Sequence, residues 1–347
     1  MLVLRTVCES DLAQVHRLAL LCGKGMTSLP QDEDLLKKRL TLSLESFKKQ
    51  VHEPSDEYYL FVLEDTKSQQ LIGTSAIQAK TGFDTPFYSY HLSKYARISY
   101  SLNIRSEYEL LNLVNDNQGR TEICTLFLDP SYRKSHNGLL LSKARFLFMA
   151  QHQQRFAPAI IAELRGLIDK NNQSPFWEHV GRHFFQMDFN EADSLNLSTN
   201  KQFIEDLMPQ YPIYVPLLAE EAQKAIGKPH ESTIPAMSIL IKEGFHFNNY
   251  VHIFDAGPIL EAPLTDIKTV ALSQEYTISG ISDEVRSIEF IVGTTQIDFR
   301  ATICSALIHE DENSCILSKE TAESLQVRVK DPVRISPLYL NNPHKNL

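Results

Sequence analysis

An α+β fold is expected for this chain, and three features of its 347 residues predict it. Apolar stretches of strand length alternate with amphipathic helical patterns in the order strand, two helices, two strands, strand, long helix, strand. A polar turn joins the strand ending at Leu128 directly to that long helix. Beyond Gly257-Pro258 the texture shifts to short β-like runs, which places a β-rich C-terminal region over 258–347.

Each element has a local cause. Leu2–Val7 alternates as a strand. Ser10 is a suitable helix cap, and Leu12, Val15, Leu18, Ala19 and Cys22 follow at helical spacing until Gly23-Lys24-Gly25. A second helix spans Asp32 to Val51, with Leu36, Leu40, Leu44 and Phe47 as its stripe. Tyr58–Glu64 and Leu71–Ala79, joined by a polar link, form an antiparallel hairpin. Strands without a definable register are expected within 82–119. Glu122–Leu128 is a strand stopped by Asp129-Pro130, Leu139 to about Phe156 a helix, and Ala159–Leu164 a strand. Pro175–Gly181 starts a short helix broken at Gly181, residues 200–226 are helical with proline interruptions, and Pro235–Glu243 is a helix ending at Gly244. Ile288–Val292 and Ala301–Ile308 read as strands and Ser318–Leu325 as a helix. Phe176–Phe185 and Ile239–Phe247 share a helix–glycine–aromatic grammar, which leaves open a duplicated unit or a coincidence of common patterns.

Composition limits the function. With 34 basic and 43 acidic residues and a net charge of −9, the chain lacks the footprint of a general nucleic-acid binder, although a local basic pocket remains compatible. Five cysteines without a Cys-x-x-Cys pair point to reduced thiols in the cytoplasm. No secretory signal is present, and no apolar run approaches the roughly 18 residues that span a membrane. No metal is expected: His179 and His183 are four apart, but Gly181 separates them. Cys124, alone on a strand, reads as a small buried hydrophobe rather than a nucleophile.

The chemically informative segment is Cys124-Thr-Leu-Phe-Leu-Asp-Pro-Ser-Tyr-Arg133-Lys-Ser-His136-Asn-Gly138. A strand, a polar turn and a helix N-terminus make an anion cradle, because free N–H groups and the positive end of the helix dipole face the turn. Arg133 and Lys134 add charge, and Gly138 permits close backbone approach to a phosphate. An ordinary strand–helix connection is the competing reading; Walker and Rossmann glycine patterns are absent.

This segment resembles the acyl-CoA site of the GNAT acyltransferases. A closer resemblance covers nearly the whole chain. Thr27-Ser-Leu-Pro30, Cys124-Thr-Leu-Phe-Leu-Asp-Pro130, Ser174-Pro-Phe-Trp177, Glu243-Gly-Phe245 and Ile253-Phe-Asp-Ala-Gly-Pro258 together resemble the arginine N-succinyltransferases. The resemblance implies transfer of succinyl from succinyl-CoA to the α-amine of L-arginine, with succinyl-CoA as co-substrate and no permanently bound cofactor. It implies donor contact at Leu126 and proton donation by His230, in Gly227-Lys-Pro-His230. Leu128, Arg133, Asn137 and Gly138 complete the expected donor site, and Thr27 and Ser28 border the acceptor. The strand edge at Leu126 can hydrogen-bond pantetheine amides, and an imidazole titrates in the range needed to move the amine's proton. Direct attack needs no covalent enzyme intermediate. Glu163, Asp255 and Glu261 are candidate carboxylates for the guanidinium. Under this reading 1–200 is a GNAT-like acyl-CoA domain and 201–257 a second GNAT-like segment carrying His230.

Two departures matter. His136 stands where the family cradle has its first glycine, and Lys24 interrupts a glycine run. They keep alternatives open: an ornithine or other amino-acid succinyltransferase chain of a paired enzyme, or a non-catalytic CoA-binding regulatory subunit. Partners are accordingly the two small substrates and either a second copy or a homologous chain.

Overall fold

A computed structural model describes residues 1–23, 25–198, 202–284 and 289–339. The chain enters through β1 (Leu2–Thr6), α1 (Leu12–Cys22), α2 (Glu33–Lys48) and the antiparallel hairpin β2 (Tyr58–Asp65) and β3 (Gln70–Gln78). Asp32 caps α2 by accepting from the Leu35 N–H at 2.8 Å. The cap expected at Ser10 is displaced. A short 3-10 turn occupies Glu9–Asp11, and the Asp11 carboxylate accepts from the Cys8 N–H while pairing with Arg5.

The stretch 82–119 is a long hairpin, β4 (Ser89–Ser99) and β5 (Ile104–Val114). Then come β6 (Thr121–Leu128), α3 (Asn137–Gln151) and β7 (Ala159–Glu163). Residues 164–233 carry α4 (Pro175–His179), α5 (Gly181–Phe185), α6 (Phe189–Ser198), α7 (Gln202–Leu207), the two-residue β8 (Ile213–Tyr214) and α8 (Glu220–Ala225). α9 (Ile234–Glu243), β9 (His246–Val251) and β10 (Pro258–Pro263) return the chain to the sheet. After α10 (Lys268–Leu272), β11 (Gln274–Ile281), β12 (Glu289–Thr294), β13 (Arg300–His309), β14 (Ser314–Leu317), α11 (Lys319–Leu325) and β15 (Pro332–Pro337) follow.

The central strands run in the order β1-β2-β3-β6-β7-β10-β9. β6 and β7 are parallel and paired only at Thr121↔Ile160 and Glu122↔Ile161, so they splay apart toward Leu126 and Leu128. α3 lies beneath, buried from Leu140 to Ala150, with the Phe148 ring edge-on to Phe61 and Phe299. Its two enclosed cations have partners: Lys143 pairs with Glu243 at 3.2 Å and donates to the Leu338 carbonyl at 2.9 Å, and Arg145 is treated below.

The sheet crosses the boundary expected at 257. β10 pairs with both β7 and β9, so the segment 201–257 supplies strands and a helix to the first sheet. The helix–glycine–aromatic echo also resolves differently in its two halves. Gly181 opens α5, which holds Phe184 and Phe185, whereas Gly244 ends α9 and its aromatics continue into β9. An added pairing of β12 with β13 closes the five C-terminal strands into a ring, and β13 joins that ring to β1 through Leu4↔Ala301. Among the described residues no helix is long and apolar enough to cross a membrane.

Candidate active site

The expected donor residues lie along the splay. Leu126 follows a bulge: Ala76 opposes Cys124 and Thr74 opposes Phe127, so Thr125 and Leu126 face a single residue of β3. Thr125 takes a left-handed φ of 57°. Three groups hold this bulge. The Thr125 N–H donates to Ser28 Oγ at 3.2 Å, the Tyr58 hydroxyl lies 2.8 Å from Thr125 Oγ1, and Thr74 Oγ1 donates to the Thr125 carbonyl at 3.0 Å. From the α3 side, Arg145, 1% exposed, donates to the carbonyls of Ala76 and Cys124. Burial draws its guanidinium down to about 10.

At the turn, the Arg133 Nε donates to the Leu128 carbonyl at 3.1 Å and the Asn137 amide to the Tyr132 carbonyl at 2.9 Å. A Cβ placed on Gly138 would meet no protein atom within 4 Å, so the room there is available to a ligand. His136 does not need a positive φ: it sits at −99° as the N-cap of α3, and Ser135 takes the left-handed turn at 51°. Its ring faces the C-terminal region, with Nδ1 3.2 Å from Glu289 and Nε2 bonded to the Tyr339 hydroxyl.

His230 caps the short turn Glu231–Thr233. Its Nδ1 lies 2.7 Å from Ser232 Oγ and accepts from the Ser232 N–H at 3.2 Å, and the His230 backbone N–H donates to the Arg165 carbonyl at 2.8 Å. This leaves Nε2 as the ring atom without a bond inside its own turn. Arg165 is the hub between the predicted halves of the site. It follows β7, its guanidinium occupies the space a side chain at Gly25 would need, and it donates to Asn172 at 2.9 Å. The loop it touches runs on through half-buried Thr27 to Ser28, and so to the bulge. Together with Arg133, Arg165 lowers the Cys22 thiol, against the larger effect of burial, which lifts it to about 11. Lys24, the second departure, lies outside the described residues.

Each of the three carboxylates considered for the guanidinium already has a partner. Glu261 pairs with Arg120 and accepts from Asn248. Asp255, 4% exposed, accepts the N–H groups of Gly166 and Gly257, both at 2.9 Å, and pairs with His252 at 3.1 Å. It clamps a crossing so tight that a Cβ on Gly166 would come within 2.2 Å of the Asp255 carbonyl oxygen. Burial would depress His252, but Asp255, Glu163 and Asp193 outweigh it and hold the imidazole at about 9. Sequence reasoning missed this His252–Asp255 pair, although the His-x-x-Asp spacing before Gly257 was its signal. Glu163 lines a small cavity with His252, Tyr88 and Phe254. Burial, then Glu122, raises the Cys124 thiol to about 12, which suits the inert role expected of it.

An unpaired strand edge beside a helix N-terminus has the groups to hold an acyl-CoA, amide-bonding donors and acceptors along the strand and free N–H groups for phosphate at the helix, as an acyl-CoA N-acyltransferase requires. Residues 2–269 match the family model of the arginine N-succinyltransferase beta subunit, and 274–337 match that of its C-terminal domain. Arginine N-succinyltransferases of Yersinia pestis and Photorhabdus laumondii are 41% and 40% identical, each over 98% of this chain and over 98% and 99% of their own lengths. The solved structure of arginine/ornithine succinyltransferase subunit AI from Pseudomonas aeruginosa superposes with a TM-score of 0.89 at 36% identity, covering 98% of this chain and 99% of that one. The chain belongs to the arginine N-succinyltransferase family.

Proposed function

We propose that the chain transfers the succinyl group of succinyl-CoA to the α-amine of L-arginine. The observation that carries this reading is the bulged, splayed edge of β6 at Leu126, linked through Ser28, the loop after Gly25, and Arg165 to His230. The donor's phosphates rest at the N-terminus of α3, against Arg133, Asn137 and Gly138, and its pantetheine amides bond along β6 at Leu126 and Leu128. The acceptor's neutral α-amine attacks the thioester carbon beside Thr27 and Ser28. The C–N bond forms as the C–S bond breaks, the amine loses one proton, and the CoA thiolate gains one. His230 moves that proton through Nε2, with Nδ1 oriented by Ser232. Glu163, which lines a small cavity with His252 and Tyr88, is the proposed contact for the guanidinium.

We also read the chain as one acyltransferase core, interrupted by the β4–β5 hairpin and by 164–233 and extended by the C-terminal strands, rather than as two copies of a core. Arginine rather than ornithine follows the Yersinia pestis and Photorhabdus laumondii relatives, whereas the Pseudomonas aeruginosa protein is named for both acceptors. Assembly as a homo-oligomer or with a homologous chain is part of the proposal. In a thiol-release assay with purified protein, succinyl-CoA and arginine support turnover, and His230→Ala lowers kcat about 100-fold or more with its melting temperature unchanged. Full turnover in that variant refutes the role of His230; donor binding without turnover on any amine refutes the reaction.

A further inference from the structure

Resting on the succinyl transfer proposed above, we infer that Arg39 recognises a substrate carboxylate at the thioester end of the site. Both substrates carry one: the far end of the succinyl group and the α-carboxylate of the amino acid. Either must leave water to reach the bulge at Thr125, and a desolvated carboxylate requires a fixed cation.

Among the described residues the cations around that bulge are few, and most are spent. Arg145 is enclosed and donates to Ala76, Cys124 and Ser142. Arg133 reaches back to Leu128, and Arg165 to Asn172 across Gly25. Arg39 differs. It is half-buried on the sheet-facing flank of α2, three residues after Leu36 and four before Ser43, both buried. Its guanidinium carbon stands 5.6 Å from the centre of the Tyr58 ring, and among the described residues no Asp or Glu pairs with it. Tyr58 is 1% exposed, and its hydroxyl is the group that bonds Thr125. Arg39 is therefore one aromatic ring away from the bulge that presents Leu126, beside the loop that carries Ser28. A guanidinium held over a fixed ring is partly ordered before a carboxylate arrives, which lowers the entropic cost of binding one.

The test compares ligand pairs that differ by one carboxylate: succinyl-CoA with propionyl-CoA, and L-arginine with agmatine in the presence of CoA. Calorimetry measures their affinities for the full-length protein and for Arg39→Met, which keeps the side chain's apolar length without its charge. The wild type prefers the carboxylate-bearing member of at least one pair. Arg39→Met erodes one preference roughly 10- to 100-fold, leaves the other intact, and melts normally; Arg39→Lys restores part of the loss. Loss in the CoA pair assigns the succinyl carboxylate, and loss in the arginine pair assigns the acceptor's. Preferences unchanged in Arg39→Met, or absent from the wild type, overturn the inference. If Arg39→Met does not fold, Arg39→Gln carries the same comparison. The readout needs no turnover, so a protein that binds these ligands through Arg39 yet fails to succinylate arginine refutes the reaction and leaves the Arg39 assignment standing.

Discussion

Replacing Asp255 with Asn keeps the shape of a buried side chain and removes the charge that clamps Gly166, Gly257 and His252. An amide has one acceptor oxygen, so its NH2 end must face at least one of those donors and leave it unpaired. Breaking a buried pair of this kind costs about 3–5 kcal/mol. The loss depends on pH, and its direction follows from the two partners. His252 is raised from 6.5 to about 9, so its contribution is complete below 6.5 and is lost as pH rises through 9. At 1.36 kcal/mol per unit this amounts to about 3 kcal/mol. Asp255 is lowered, with burial opposing and His252 and the two glycine N–H groups prevailing, so its contribution is lost only as pH falls into the acid range. Urea unfolding at pH 6 and pH 10 measures the outcome. The gap between wild type and Asp255→Asn is largest at pH 6 and shrinks at pH 10, where His252 no longer carries its proton. A gap of equal size at both values refutes the coupling of Asp255 to a protonated His252.

Gly138→Ala separates ligand room from folding: the helix gains up to about 1 kcal/mol in thermal melts, while the KM for succinyl-CoA rises, because the added methyl meets donor phosphate rather than protein. Cys124→Ala leaves kcat within about twofold in the thiol-release assay, since direct attack uses no thiolate. Ser28→Ala removes the acceptor of the Thr125 N–H, costs about 0.5–1.5 kcal/mol in chemical denaturation, and raises the donor KM as the bulge loosens.

Elements with local causes were legible in the residues. α2 has its Asp32 cap and apolar stripe, the β2–β3 hairpin its polar link, and β6 its Asp-Pro stop. β4 and β5 were not, because the register that anchors them is set by Tyr90↔Val251 and His91↔Tyr250, partners about 160 residues away in the chain. The break at Gly181 was legible as well: α4 ends at His179 and α5 opens at Gly181, and the Trp177 ring, one turn earlier, packs where a side chain at Gly181 would go. In the site, the cradle could be read from one continuous segment. The bulge at Thr125 could not, since it is fixed by Ser28, Tyr58, Thr74 and Arg145 from four different elements. A charged pair, Lys143 and Arg145, inside an otherwise apolar helix was the available sign that α3 meets polar partners at its centre.

The pairing of β1 with β13 has a consequence for how this protein is made. The outer edge of β1 stays open until Arg300 and Ala301 have left the ribosome. At about 5–20 residues per second, that is on the order of tens of seconds after β2 has been synthesised. Through that interval the nascent chain exposes an unpaired strand edge beside the apolar faces of Phe61 and Phe148, which Phe299 later covers. The speed of synthesis between β2 and β13 thus sets how long that edge is open to pairing with another chain.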